Sequence, residues 1–149
     1  MGYADRNDLV LRFGEREIKQ LEASIQAENS MSVDATLQDA SEEVDGYIAV
    51  RYSLPLTETP QNLKRLVCDI ARYKLWKSRA SNEVRQRYED AIAFLKLIAN
   101  NKASLLIKNA VTNETLPDPP KQQPSTVPIG TTYTGGVFGD SILNNMPSI

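Results

Sequence analysis

Apolar residues recur at three- and four-residue intervals through most of positions 1–111, and that spacing predicts helices. Asp5 is placed to cap a short helix running through Leu9, Leu11 and Phe13, with Asp8 three residues on. Gly14 stands where such a helix stops or turns. A second short amphipathic piece, Glu15 to Ala23, carries Ile18 and Leu21 on one side, and residues 24–33 read as a polar loop. From Asp34, read as an N-cap, Leu37, Ala40, Val44, Ile48 and Tyr52 trace the apolar side of a longer helix. Asp39, Glu42, Glu43 and Asp45 make its other side acidic. Gly46 lies within this pattern at a cost of up to ~1 kcal/mol against alanine. That cost suggests tight packing against a neighbouring helix.

Pro55 biases Leu54 toward extended geometry, so the chain leaves the helix at Ser53-Leu54-Pro55-Leu56. Thr59-Pro60 then predicts a new start, a capping hydroxyl followed by proline in the first turn. Leu63, Leu66, Val67, Ile70, Ala71, Lys74 and Leu75 mark one face of this helix. Ser81 caps the next, whose stripe is Val84, Tyr88, Ile92, Leu95, Ile98 and Ala99, and Asn100-Asn101 stops it. Ser104 to Val111 suits a short strand or a final helical turn equally. No run alternates as a strand would over any length, and no internal repeat is visible. The pattern therefore predicts an all-α fold, a small helical bundle of two short plus two or three longer helices over residues 1–111.

The pattern ends at about residue 112. Residues 112–149 hold six of the eight prolines, four of the seven glycines and only four charges: Glu114, Asp118, Lys121 and Asp140. Proline removes backbone donors and clashes with the preceding turn, so no helix is expected here. Nor is the segment polar, since it carries Val127, Ile129, Tyr133, Val137, Phe138, Ile142, Leu143, Met146 and Ile149. We read it as an extended Pro/Gly-rich C-terminal arm that docks on a partner. Val127, Ile129, Tyr133, Val137, Phe138, Ile142 and Leu143 would serve as its side-chain anchors. A bundle with such an arm points to assembly rather than chemistry.

Composition narrows the chemistry further. The chain has no histidine and one cysteine, which excludes Ser-His-Asp and Cys-His catalysis, histidine-bearing metal sites and thiolate clusters within a single chain. Cys68 sits in the apolar run Leu66-Val67-Cys68-Asp69-Ile70 and reads as a buried, inert thiol. Gly130, Gly135, Gly136 and Gly139 resemble a phosphate loop only loosely, with no lysine in the required register. No cofactor, metal or enzymatic activity is expected. Neither a signal-peptide core nor an apolar run of ~18 residues is present, so neither secretion nor a membrane partner is expected.

Net charge is −2, but it is unevenly spread. Residues 1–63 hold twelve acids against five bases, and residues 64–149 hold seven acids against twelve bases. Opposite charge on two faces favours contacts between copies. The run from Lys64 to Arg87 carries eight bases and the two acids Asp69 and Glu83, with the aromatics Tyr73, Trp76 and Tyr88 interleaved or adjoining. That mixture suits solvated helix faces, a subunit interface, or a small helical DNA-binding protein using the basic helices 60–99.

An ordered set of short segments is more specific than any of these. Tyr3, Phe13-Gly14-Glu15, Asp39-Ala40, Asp45-Gly46-Tyr47-Ile48, Arg51-Tyr52 and Leu54-Pro55-Leu56 are followed by Asp69-Ile70-Ala71-Arg72-Tyr73 and Arg87-Tyr88-Glu89-Asp90-Ala91-Ile92. Over residues 3–107 the set resembles the small head–tail connector (head-completion) proteins of Mu-like bacteriophages and prophages. The arm lies largely outside that resemblance. One departure is Asn100-Asn101, where the family has a glycine; asparagine tolerates left-handed geometry, so the turn is expected to survive.

The resemblance implies a homo-oligomeric ring, usually dodecameric, beneath the portal protein at the head–tail junction of the virion. Such a ring contacts a downstream neck or tail protein and passes double-stranded DNA. The subunit-interface or channel candidates are Asp39, Glu42, Glu43, Asp45, Arg51, Arg65, Arg72, Lys77 and Arg79. In this reading the acidic helix meets the basic helix pair of a neighbour, or else its acids line the bore. A stopper or tail-terminator is the rival neck component, and a DNA-binding regulator the rival outside the neck.

Overall fold

The computed structural model describes residues 2–107 and 115–120. Five α-helices occur there: α1 (Arg6–Phe13), α2 (Glu15–Ala27), α3 (Val33–Ile48), α4 (Gln61–Trp76) and α5 (Asn82–Ala99), with a 3-10 turn at Lys77–Arg79 between the last two. No strand is found among the described residues. The fold is all-α, two short helices ahead of three longer ones. The arm anchors Val127, Ile129, Tyr133, Val137, Phe138, Ile142 and Leu143 lie outside the described residues.

Several start and stop signals act as their chemistry dictates. Asp5 accepts from the backbone N–H of Asp8 at 2.9 Å, and the Asp8 carboxylate accepts from that of Asp5 at 3.1 Å. This reciprocal pair satisfies two donors that the first turn leaves without partners. Gly14 ends α1 at φ 90°, a geometry that an L side chain rarely adopts, and lets α2 begin immediately. Ser81 caps α5 by accepting from Val84 N–H. At the end of α5, Asn101 has φ 59° and donates to Ile98 O at 3.1 Å, while Lys102 N–H reaches Leu97 O at 2.8 Å. Asparagine thus makes the left-handed C-terminal turn that glycine usually makes.

Other boundaries move for identifiable reasons. α2 runs on to Ala27, because Ile25 continues the buried line of Ile18 and Leu21. It stops in the same kind of turn as α5, with Asn29 at φ 49° and Ser30 N–H on Ile25 O at 3.0 Å. α3 is capped by Ser32, which accepts from Ala35 N–H at 3.2 Å; Asp34, the expected cap, lies inside the first turn. At α4 it is Pro60, in extended geometry, that occupies the N-cap, and no side chain caps that end. Leu11 is 81% exposed, whereas Leu9 is fully buried. Two positions apart on a helix is about half a turn, so both cannot face one core.

The three longer helices pack on one another, with α4 central and also touching α1 and α2. Leu9, Ile18, Ile48, Leu63, Leu66, Ile70, Leu95 and Ile98 are fully enclosed. Cys68 is among them, and burial pushes its thiol up to about 11, so it stays protonated and unreactive at neutral pH. Gly46 corrects the expectation of close approach: it is exposed, and nothing lies within 4 Å of where its Cβ would stand. Among the described residues it makes room for nothing.

Residues 103–107 leave α5 without forming a helical turn. Leu105 and Ile107 point into the core and Leu106 outward, 68% exposed. The chain then returns, because Leu116 N–H donates to Ile107 O at 2.8 Å.

Candidate functional site

Where the arm meets the bundle, α3 unwinds at its C-terminus and presents Arg51 and Tyr52. Tyr52 stays under the bundle because its N–H still reaches Ile48 O at 2.8 Å. Its hydroxyl accepts from Leu105 N–H at 2.9 Å and donates to Asp118 Oδ1 at 3.0 Å. Arg51 Nη2 meets the other carboxylate oxygen at 3.0 Å, and Nη1 donates to Ala103 O. The Arg51 side chain is only 6% exposed, and its buried Nε has no hydrogen-bond partner among the described residues. Burial, together with the neighbouring Asp118 carboxylate, pushes the Tyr52 hydroxyl above its ordinary value even though the Leu105 N–H pulls the other way. Asp118 is therefore held by two groups on the bundle. Four side-chain and backbone bonds tie the α3 end, the 103–107 segment and the root of the arm together.

A second network joins α1, α2, α4 and α5. Glu17 accepts from Arg72 Nε at 2.6 Å, Arg72 Nη2 at 2.9 Å and Trp76 Nε1 at 3.0 Å. Burial alone would raise the Glu17 carboxyl; these hydrogen bonds outweigh it and hold the group below the ordinary carboxylate value. The Arg72 and Arg87 guanidiniums lie 4.4 and 5.6 Å from the Phe13 ring centroid. Arg87 also reaches Asp69 at 3.0 Å, and Arg65 approaches the other oxygen of that carboxylate at 3.4 Å. The Asp69 side chain is 1% exposed, so these two arginines supply the charge that its burial demands. Tyr73 and Tyr88 stack across the α4–α5 interface with centroids 4.2 Å apart. Trp76 and these tyrosines are thus committed to interhelix packing.

The acidic and basic faces meet within the chain. Glu43 pairs with Lys74 at 2.8 Å and Asp45 accepts from the Tyr3 hydroxyl. Lys64 approaches Asp8 at 3.5 Å, while Lys77 and Arg79 pair with Glu28 at 2.8 and 3.2 Å. Among the described residues, seven of the eight bases between Lys64 and Arg87 have a carboxylate partner, all but Arg85. Asp39 is half-buried in a cleft with Lys74 and Lys77, and Glu42 is exposed and accepts from Gln38 of its own helix at 3.1 Å.

Of the candidates named from sequence, Arg51 belongs to the arm-root clamp and Arg65 and Arg72 to the second network. Asp39 and Glu43 lie with Lys74 on the α3–α4 side, and Lys77 with Arg79 at the end of α2. Sequence reasoning missed Glu17, Tyr52 and Asp118 as partners. Asp69 left a signal: a carboxylate set inside an apolar run and surrounded by bases is placed for a buried ion pair.

Exposed apolar residues adjoin the segments of the clamp along the chain: Val50 and Leu54 flank Arg51 and Tyr52, Leu97 O receives Lys102 and Ala103 N–H, Leu106 precedes Ile107, and Leu116 N–H donates to Ile107 O. Beside them a cleft of about 440 Å³ is lined by Glu58, Thr59, Pro60, Phe94, Ser104 and Leu106, among others.

These features define a small helical bundle with a tail clamped at its root and no group of three or more metal-ligating side chains among the described residues. The chain belongs to the family described as Bacteriophage Mu, Gp36, whose model matches residues 3–123. It is 40% identical over 105 residues to the Mu-like prophage FluMu protein gp36 of Haemophilus influenzae, covering 69% of this chain and 74% of that protein. It is 34% identical over 106 residues to Gene product J of Escherichia phage Mu, covering 68% of this chain and 74% of that protein. The family match extends past residue 107 and takes in Asp118, so the arm's root belongs to the family pattern even though most of the arm does not.

Proposed function

We propose that this chain is a structural virion protein of the phage neck, not an enzyme. Copies form an adaptor ring that joins the capsid portal to the tail and continues the DNA channel. The observation that carries this reading is the Arg51–Tyr52–Asp118 clamp. It fixes the departure point of a nearly uncharged, apolar-studded arm on the bundle surface, an arrangement suited to reaching a neighbouring protein. Repetition around a ring would offset the ordering cost of each arm through avidity. Membership in a phage Mu family supports the setting.

Subunit contact in this reading depends less on opposite charge than the sequence suggests, because most bases of α4 and α5 are already paired. Glu42, on the exposed side of α3, is left for a neighbour or for the bore, where like charge would keep DNA from sticking. The same pairing weighs against DNA binding through the basic helices.

The test is co-sedimentation with purified portal rings of the full chain and of a chain ended after Pro120, which keeps the clamp. The full chain should bind as a ring and the shortened chain should not, both remaining helical by circular dichroism. Equal binding would remove the arm from the docking role. Failure of both, with salt-sensitive retardation of duplex DNA by the intact protein, would replace the neck reading with a DNA-binding one.

A further inference from the structure

The cleft between the α4 N-terminus, Phe94 of α5 and the 104–106 segment has no occupant within the described chain, and it borders the arm's root. Leu105 N–H and Asp118 share the Tyr52 hydroxyl at 2.9 and 3.0 Å, and the next residues on either side of Leu105 line the cleft. Among the described residues, its lining offers Phe94, Leu106 and Pro60 with a single charged group, Glu58. A volume of about 440 Å³ suits a few apolar side chains.

We propose that this cleft is the docking site for the proximal part of the chain's own arm, with Val127 and Ile129 as the inserted side chains. Both residues lie outside the described residues, and four features of the sequence and the cleft select them. The described chain ends at Pro120, two residues past the Asp118 that shares the Tyr52 hydroxyl with Leu105, with 29 residues still to follow. The nine positions from Asp118 to Val127 span up to ~30 Å, enough to reach the cleft without strain. Between Lys121 and Asp140 the arm has no charge, which matches a cleft with almost none. Val127 and Ile129 are two positions apart, so an extended chain presents both on one face. The short tether favours this chain's arm over that of a second copy, because it raises the local concentration to the millimolar range. Docking the proximal pair leaves Tyr133, Val137 and Phe138 beyond it for a partner. The inference holds whether or not the chain works in a phage neck.

Disulfide trapping in the full chain tests it. Leu106→Cys and Val127→Cys are combined and oxidised at low protein concentration; the native Cys68 is fully buried and does not compete. Leu11→Cys with Val127→Cys is the control, since Leu11 is 81% exposed on α1. The expected result is an intrachain bond at the cleft forming at least about tenfold faster than in the control, an excess set by effective concentration. Adding Ile129→Asp should remove most of that advantage. Equal rates for the two pairs would overturn the proposal. A dimer band in place of the intrachain bond would also overturn it and assign the cleft to the arm of a second copy.

Discussion

Asp69 keeps 1% of its side-chain exposure, yet Arg65 and Arg87, which balance it, are nearly half exposed. Removing its charge strands neither arginine in the core. Asp69→Asn should therefore cost less than the ~3–5 kcal/mol typical of breaking a fully buried pair. We expect about 2 kcal/mol in urea denaturation, with Arg87→Ala costing a similar amount because it leaves the carboxylate half-paired. Gly46 gives a contrasting case. It sits inside α3 with open space where a Cβ would be, so Gly46→Ala should raise stability by up to about 1 kcal/mol. If the more stable variant no longer assembles, the open space is filled by a neighbouring subunit; unchanged assembly would exclude that.

Helices α2 and α4 are joined through Glu17, and this contact carries a pH signature. The folded-state carboxyl is held below its ordinary value. Its stabilising contribution is therefore complete above that value and is lost as pH falls through the lowered folded one. Glu17→Gln should destabilise by about 1–2 kcal/mol at pH 7 and progressively less as the solution is acidified, measured as denaturation midpoints between pH 7 and pH 3. A constant gap across that range would show that the carboxylate charge contributes nothing. The ends of α2 and α5 rest on Asn29 and Asn101 in left-handed geometry. Asn101→Val should cost at least about 1 kcal/mol and Asn101→Gly little or nothing, read from thermal unfolding.

Across the whole molecule, the clamp decides where the bundle ends. Arg51 is nearly enclosed while Asp118 is 41% exposed, so the two partners are not equivalent. Asp118→Ala leaves a buried guanidinium without its carboxylate and should cost about 3 kcal/mol, more than Asp69→Asn. It should also speed proteolytic cleavage between residues 107 and 120 by roughly tenfold if the root opens locally by ~1.4 kcal/mol. Cleavage at the wild-type rate would mean that the Leu116–Ile107 bond alone holds the root.

Helical spacing, the Asp5, Gly14 and Ser81 signals and the break in composition near residue 112 were legible because each depends on neighbours along the chain. The buried stripes of α3, α4 and α5 follow from a fixed 3.6-residue period, and the all-α class follows from them. Ser32 against Asp34, or the extension of α2 to Ala27, turned on small differences between adjacent caps and on what the next turn packs against. What only the tertiary structure decided is pairing across distance. Opposite charges on separate helices read from sequence as complementary surfaces; packing brings Glu43 of α3 to Lys74 of α4, and Glu17 of α2 to Arg72 of α4, within one chain. Arg51 and Asp118, 67 positions apart, meet because the chain turns back after α5. Periodicity tells which side of a helix is buried; only the packed bundle tells which charge it meets there.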